Sequence, residues 1–310
     1  MVMLQKKSVL LAKLETTYGT DPTPGSTDVV EAIDATIKES FEAVPREVRL
    51  KTLSNMASLA GAKFAEVTFK LEVKGSGSIA LPPRMGPILQ ACGLAVTIQS
   101  GVSVTYAPTS SSFSSVTLYL YKDGRRHIVT GARGTAKLTG ESGKQGILEI
   151  SMKGLYTAPT ATALPTVSYE STVPPICKNT TFSYNSKTTL IVSKFEFDEA
   201  NEVVQRPSLS ATYAIAGFEI TGRKPVFSMD AESQVETSYT FDADALTTQR
   251  AVAYAIGATA GNICTVNVAK YNITEIERSD KDGIMIDSLK GECAVSAAAT
   301  GDDEFSLVFT

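Results

Sequence analysis

The sequence predicts a mainly β protein: two tandem β-sandwich or barrel domains, each with one flanking α-helix, behind an extended N-terminal arm. Three observations carry this: strict period-two alternation near residue 67, scarcity of helical periods, and landmarks that recur about 160 residues apart. In Val67 to Gly93, VTFKLEVKGSGSIALPPRMGPILQACG, the residues Val67, Phe69, Leu71 and Val73 are apolar and their neighbours Thr68, Lys70, Glu72 and Lys74 are polar. That is a strand with one face on a core and one toward water. Gly75-Ser76-Gly77 breaks it and Pro82-Pro83 bars both ladder and helix interior, after which Met85, Ile88, Leu89 and Cys92 follow at helical spacing until Gly93.

In chain order, residues 1–24 form the arm. Its amphipathic start leads into ETTYGTDPTPGST, whose Tyr18-Gly19, Asp21-Pro22 and Pro24-Gly25 pairs are turn and extended-chain chemistry. Such an arm, with Leu10, Leu11, Leu14 and Tyr18 but no structure of its own, either caps its own domain or docks on a neighbour. The first β domain spans 25–160. A strand runs from Val29 to Lys38, and the half-patterned segment Phe41 to Ala62 is long enough to be functional or disordered. Strands follow at Val102 to Ala107 and Val116 to Tyr121. Asp123-Gly124 then turns the chain into Arg126 to Thr130. Gly131 to Gly134 separates that strand from Thr135 to Thr139, and Gly146 to Leu155 closes the meander. Residues 161–175 lie in a Pro/Thr/Ser-rich stretch that reads as a linker.

The second β domain, 176–310, repeats the first in outline. Val204-Gln205-Arg206 answers Val44-Pro45-Arg46, Gly222-Arg223-Lys224 answers Gly61-Ala62-Lys63, and Val226-Phe227-Ser228 answers Val67-Thr68-Phe69, at offsets of 159 to 161 residues. A longer helix, about Ala243 to Ile256, is expected to match that at Met85, and Glu304 to Thr310 to match the strand Ile147 to Met152. Order and spacing point to an old duplication.

Composition narrows function. A chain of 310 residues with 43% hydrophobic and 20% charged residues is an ordinary globular one, and its net charge of −4 gives no basic surplus for gripping DNA. The cysteines Cys92, Cys177, Cys264 and Cys293 are scattered and read as reduced small hydrophobes of a reducing cytoplasm. No secretion signal or membrane span is apparent. Gly75-Ser76-Gly77-Ser78-Ile79-Ala80 matches a dinucleotide fingerprint, but Pro82-Pro83 stands where that motif opens a helix. Gly143-Lys144 lacks the earlier glycine of a phosphate loop. The single histidine, His127, reads as a surface strand residue, leaving little material for a catalytic triad or a histidine metal site. The Asp/Gly clusters at Asp280 and Asp302 lack the closing glutamate of a calcium loop. The sequence therefore predicts no catalytic residue, no cofactor, no metal and no enzyme.

Leu10 through Pro24, LLAKLETTYGTDPTP, resembles the N-terminal arm of the tail tube (major tail) proteins of long, non-contractile-tailed phages, particularly Mu-like and related Pseudomonas-infecting siphophages. Further matches are Lys74-Gly75-Ser76-Gly77 with Pro82-Pro83 and Ala91-Cys92-Gly93, then Asp123-Gly124 with Gly131-Ala132-Arg133-Gly134-Thr135, then Gly301-Asp302-Asp303-Glu304-Phe305. The resemblance implies tail-tube-type β domains whose inner strands join neighbouring copies into a closed ring, with rings stacked into a conduit for genomic DNA. Two such domains per chain predict a trimeric ring of pseudo-sixfold symmetry, with a hexamer as the alternative. The implied partners are a tape measure protein in the lumen and tail terminator and distal tail proteins at the ends, with no specific DNA binding and no membrane. The implied place is the virion tail, assembled in host cytoplasm.

Free strand edges demand partners, and a ring removes them. The pieces long enough to cross to the next ring are the arm, Phe41 to Ala62 and its counterpart at Val203 to Gly222. The assembly residues expected on them are Leu11, Leu14, Tyr18, Asp21 and Pro22, then Arg46, Leu50 and Leu53, and Arg206. A tail terminator or connector of related fold is the nearest rival. A β-sandwich adhesin or carbohydrate-binding protein fits less well, since the chain has no Trp.

Overall fold

A computed structural model describes residue 4, residues 6–235 and residues 241–310, so the arm's residues 1–3 and 5 lie outside the described residues, as do 236–240. The first half runs β1 (Ser8–Leu14), β2 (Val29–Val30), β3 (Ala32–Val44), β4 (Leu59–Glu72), α1 (Gly86–Ala91), β5 (Leu94–Gln99), β6 (Ser103–Pro108), β7 (Val116–Lys122), β8 (Arg125–Glu141), β9 (Ile147–Tyr156) and β10 (Thr160–Ala161). The second runs β11 (Phe182–Tyr184), β12 (Val192–Asp198), β13 (Asn201–Pro207), β14 (Ile215–Arg223), β15 (Val226–Glu232), α2 (Phe241–Asp244), β16 (Arg250–Ile256), β17 (Cys264–Lys281), β18 (Ile284–Ala294) and β19 (Ser306–Phe309). The protein is mainly β, as its alternating patterns require.

One antiparallel sheet carries the architecture, in the order β3-β4-β9-β8-β12-β15-β18-β17. Its two four-strand halves meet inside the sheet, where Leu138 of β8 stands opposite Phe197 of β12 and Lys137 opposite Asp198. Phe69, Leu71, Ile150, Leu138, Phe197, Phe227, Met229 and Leu289 point to one side and are buried. The other side is polar, with Lys70 paired to Glu149 and Lys137 to Glu196. Each buried aromatic contributes about 1.5–3 kcal/mol, and those of β12, beside the joint, pack on the second half's other layer: Phe195 lies 4.1 Å from Tyr254 and Phe197 4.5 Å from Phe305, centroid to centroid.

A second layer covers the buried face. The long strands β8 and β17 enter both layers by bending at bulges, between Thr130 and Arg133 and between Ile273 and Glu275. Beyond its bulge β8 pairs with β7, and β7 with β1. Beyond its bulge β17 pairs with β16 and β19, and β19 with β6. The first half's β5–β6 hairpin thus belongs to the second half's layer. The crossing after β4 is pinned there too: the Gly75 amide donates to Asn262 Oδ1 at 2.8 Å and the Gly77 amide to Gly261 O at 3.0 Å. A side chain on Gly75 would collide with the Gly261 carbonyl at 2.2 Å, so the glycine is there for close backbone approach.

Several local expectations change. The start of the arm is β1, a strand inserted along β7 from Ser8 opposite Lys122 to Leu14 opposite Val116. It is held because both its faces are covered, Leu10 and Ala12 by the main core and Leu11 by Val29, Tyr119 and Tyr121. Gly131 to Gly134 does not end a strand. It is the bulge within the 17-residue β8, with Gly131 at φ +58°. The expected helix Ala243 to Ile256 shrinks to α2, and Arg250–Ile256 is strand, since Val252, Tyr254 and Ile256 are buried alternately with smaller alanines between. Phe41 to Ala62 is the end of a hairpin: β3 and β4 pair as far as Val44 opposite Leu59, and 45–58 between them is loop. The counterpart of β9 is β18, which flanks β15 as β9 flanks β4; β19 lies in the other layer.

The joint between halves buries a carboxyl. Glu199 is 1% exposed, its Oε2 accepts the Ala136 amide at 3.2 Å, and its Oε1 has no hydrogen-bond partner. Burial pushes its pKa well above the usual carboxylate range. Such a group binds its proton more tightly folded than unfolded, so it favours folding below the ordinary Glu pKa and burdens the fold as pH rises through the raised value. Glu199→Gln is therefore expected to raise the melting temperature by about 2–4 °C at pH 8, with the gap closing on acidification, as checked by thermal melts across pH.

Candidate assembly surface

The residues expected to contact a neighbour fall into two groups. Those of the arm are engaged within the chain. Leu11 is 1% exposed, while Leu14 and Pro22 are half-buried. The Tyr18 hydroxyl donates to Gly131 O at 3.0 Å and accepts the Phe218 amide at 2.7 Å, which ties the arm to both halves. Burial raises its pKa. Asp21 accepts the Thr23 amide at 2.8 Å and the Tyr119 hydroxyl.

Two residues absent from the expected set hold this region. Glu15 gathers four donors on one carboxylate: the Gly131 amide and Thr117 hydroxyl on Oε1, both at 2.6 Å, and the Gly19 amide and Ser115 hydroxyl on Oε2, at 2.7 and 2.6 Å. Arg133, 7% exposed, donates to Phe113 O at 2.7 Å, Phe218 O at 2.9 Å and Ser114 O at 3.2 Å, and pairs with Glu219. Its guanidinium lies 4.9 Å from the Tyr18 ring centroid. Both lie in stretches that the sequence singled out, Glu15 in the arm and Arg133 in Gly131 to Thr135, but their partners are too distant in sequence to be read from it.

The two hairpins behave differently. β13–β14, which carries Arg206, folds back onto the first half, where Phe218 and Ile215 pack with Ala62, Phe64 and Leu155. Arg206 pairs there with Glu219 at 3.6 Å. Its equivalent by position, the far end of the β3–β4 hairpin with loop 45–58, projects. Arg46, Leu50 and Leu53 are exposed on loop 45–58, flanked by exposed Phe41, Val44, Val48 and Leu59. Phe41 meets the Tyr156 ring edge-on, and the rest of this apolar row stays exposed among the described residues.

The main sheet has two open margins. β3 pairs only with β4, and over 275–281 β17 pairs only with β18, among the described residues. Each margin presents a row of backbone N–H and C=O groups to solvent. On the polar face between them, Lys38, Lys70 and Lys137 are each answered by Glu66, Glu149 and Glu196, and Glu72, Asp198, Asp230 and Glu232 add further acid. His127 is not a surface residue: it is 9% exposed, its Nδ1 lies 3.0 Å from Glu39 Oε1, and desolvation lowers its pKa against the opposing pull of Glu39. Among the described residues no group of three His, Cys, Asp or Glu is placed to hold a metal ion, and no helix is long and apolar enough to cross a membrane.

A family model described as phage tail tube protein matches residues 5–301. No curated protein matches the chain.

Because the arm is built into the fold, Tyr18→Phe leaves the Gly131 carbonyl and Phe218 amide without their partner and should cost about 1–3 kcal/mol in chemical denaturation. Deleting residues 1–24 removes β1 from the sheet and should abolish cooperative unfolding rather than merely detach a tail.

Proposed function

The chain belongs to the phage tail tube protein family, and from that premise we propose that it self-assembles head to tail into rings that stack into the conduit for DNA delivery. Membership makes it a structural component of the virion tail that assembles into a multi-subunit tube. The observation that carries the finer reading is the pair of open margins, β3 and β17, at opposite ends of one continuous sheet. A heterologous contact between unlike edges closes into a ring when the rotation permits. Each chain supplies two four-strand units, so three copies give a trimeric ring with pseudo-sixfold symmetry, favoured over a hexamer.

The polar face then lines the lumen. Lys38, Lys70 and Lys137 are each paired with a carboxylate, and the remaining lysines of this face, Lys153, Lys194 and Lys290, stand among Glu72, Asp198, Asp230 and Glu232. Passing phosphates therefore meet no cationic row whose contacts would have to be undone during ejection. Tape measure protein occupies that lumen before DNA does, and tail terminator and distal tail proteins close the ends. Stacking falls to the element left uncovered, loop 45–58 with Arg46, Leu50 and Leu53, since the arm and the β13–β14 hairpin are engaged within the chain.

Negative-stain electron microscopy of the purified protein should show hollow tubes with stacked rings. Leu50→Asp combined with Leu53→Asp should leave folded subunits or single rings and reduce elongation at least tenfold. Monodisperse monomers of the unaltered protein would contradict the reading, and unimpaired tubes from the variant would contradict the role of the loop.

A further inference from the structure

The two halves of the main sheet correspond strand for strand, and the correspondence is numerical. Ile37 stands opposite Val67 and Phe197 opposite Phe227, so the β3–β4 pair maps onto β12–β15 by 160 residues. Ala136 stands opposite Ile150 and Ile276 opposite Leu289, so β8 maps onto β17 by 140. The internal joint is β12 on β8, and its equivalents, β3 and β17, are the two open margins.

We propose that the joint between neighbouring copies repeats the internal joint, with β3 of one copy antiparallel to β17 of the next and Lys38 opposite Glu277, and that charge sign keeps the two joints from exchanging partners. This rests on reading the chain as a ring-forming tube subunit. The internal joint sets Asp198 opposite Lys137 and Lys194 opposite Glu141. Carried over by the two offsets, the same register sets Lys38 opposite Glu277 and Thr36 opposite Ser279, with Asp34, at the β3 bulge, toward the end that carries Lys281. Both joints are complementary, but with signs reversed.

The reversal has a consequence for fidelity. In this register β3 of a second copy competing for β8 brings Lys38 against Lys137 and Asp34 against Glu141. β12 competing for β17 brings Asp198 against Glu277 and Lys194 against Lys281. Each mistaken pairing is like on like, which destabilises directly opposed cross-strand positions. β8 precedes β12 by about fifty residues in the chain, so its edge is open to a second copy's β3 until β12 has paired, and a ring built through the wrong edge is a domain-swapped dead end. Lys38 is positioned for the role: its side chain is 74% exposed and held over the polar face by Glu66 at 3.2 Å, as Lys137 is held by Glu196 at 2.7 Å in the internal joint. Glu277 is likewise exposed.

The test is charge exchange in the full chain, read by sedimentation and negative stain. Lys38→Glu and Glu277→Lys should each raise the critical concentration for assembly about fivefold, and the double variant should return it to near the unaltered value. Circular dichroism melts should stay cooperative throughout, with at most a small loss in the variants that carry Lys38→Glu, where Glu66 stands opposite. Independently, Lys38→Cys with Glu277→Cys should form interchain disulfides on mild oxidation, giving covalent trimers on non-reducing gels, and the out-of-register pair Lys38→Cys with Lys281→Cys should not. Normal tubes with no charge effect and no in-register crosslink would overturn the joint and leave the tube function standing. An unaltered protein that never assembles would overturn the tube reading and the joint with it.

Discussion

A strand at the margin of a sheet leaves half its backbone hydrogen-bonding groups without protein partners, and this chain ends its principal sheet on two such strands. Everything else in the fold is arranged to keep them there. The second layer covers the apolar face, and β8 and β17 bend away at bulges to build that layer. Neither device closes the margins of the polar sheet. Proteins usually blunt such edges with charge, bulges or short length. Here charge is present on both, Lys38 on one and Glu277 on the other, of opposite sign at positions that the proposed joint would bring together.

The halves are equivalent in sheet order and unequal in what covers them. β13–β14 lies on the first half, fastened by Tyr18, Arg133 and the Phe218 cluster. The matching β3–β4 hairpin meets β13–β14 only at its base, through Ala62 and Phe64, and beyond that contact the apolar residues of its tip are exposed among the described residues. A duplicated unit joined once internally must leave one joint and one hairpin unsatisfied at its ends. The uncovered leucines of loop 45–58 and the open edges are therefore two signs of one incomplete repeat.

Much of this was legible in the residues. Alternation at Val67 to Val73 placed β4 and its buried face, Met85 to Cys92 placed α1, and Asp123-Gly124 placed the β7–β8 turn, with φ of +32° and +96°. The spacing of about 160 residues found the correspondence of β4 with β15, one residue out of register, since Val67 answers Phe227 rather than Val226. The counterpart of β3, β12, is not among the expected strands. What failed was decided by tertiary pairing. Ala251, Ala253 and Ala255 gave β16 a helical look, because small outward residues carry no strand signal. Leu94–Gln99 is a different case: it carries a short alternation, Leu94, Val96 and Ile98 against Ala95, Thr97 and Gln99, that marks β5, a strand mostly exposed beyond Leu94, yet it is not among the expected strands either. β1 looked like a free arm because its partner, Val116–Lys122, lies a hundred residues on. Arm and loop were equally plausible contact elements in sequence, and only the network around Glu15, Tyr18 and Arg133 separates them.

The central claim is that the outer edges of β3 and β17 are satisfied by copies of the same chain, and amide hydrogen exchange of assembled against dissociated protein tests it most directly. The account predicts that slow exchange appears on assembly at residues 36–40 and 275–280, while β9 and β15, already paired on both sides, change little. Equal, fast exchange at both edges in the assembled particle would contradict it.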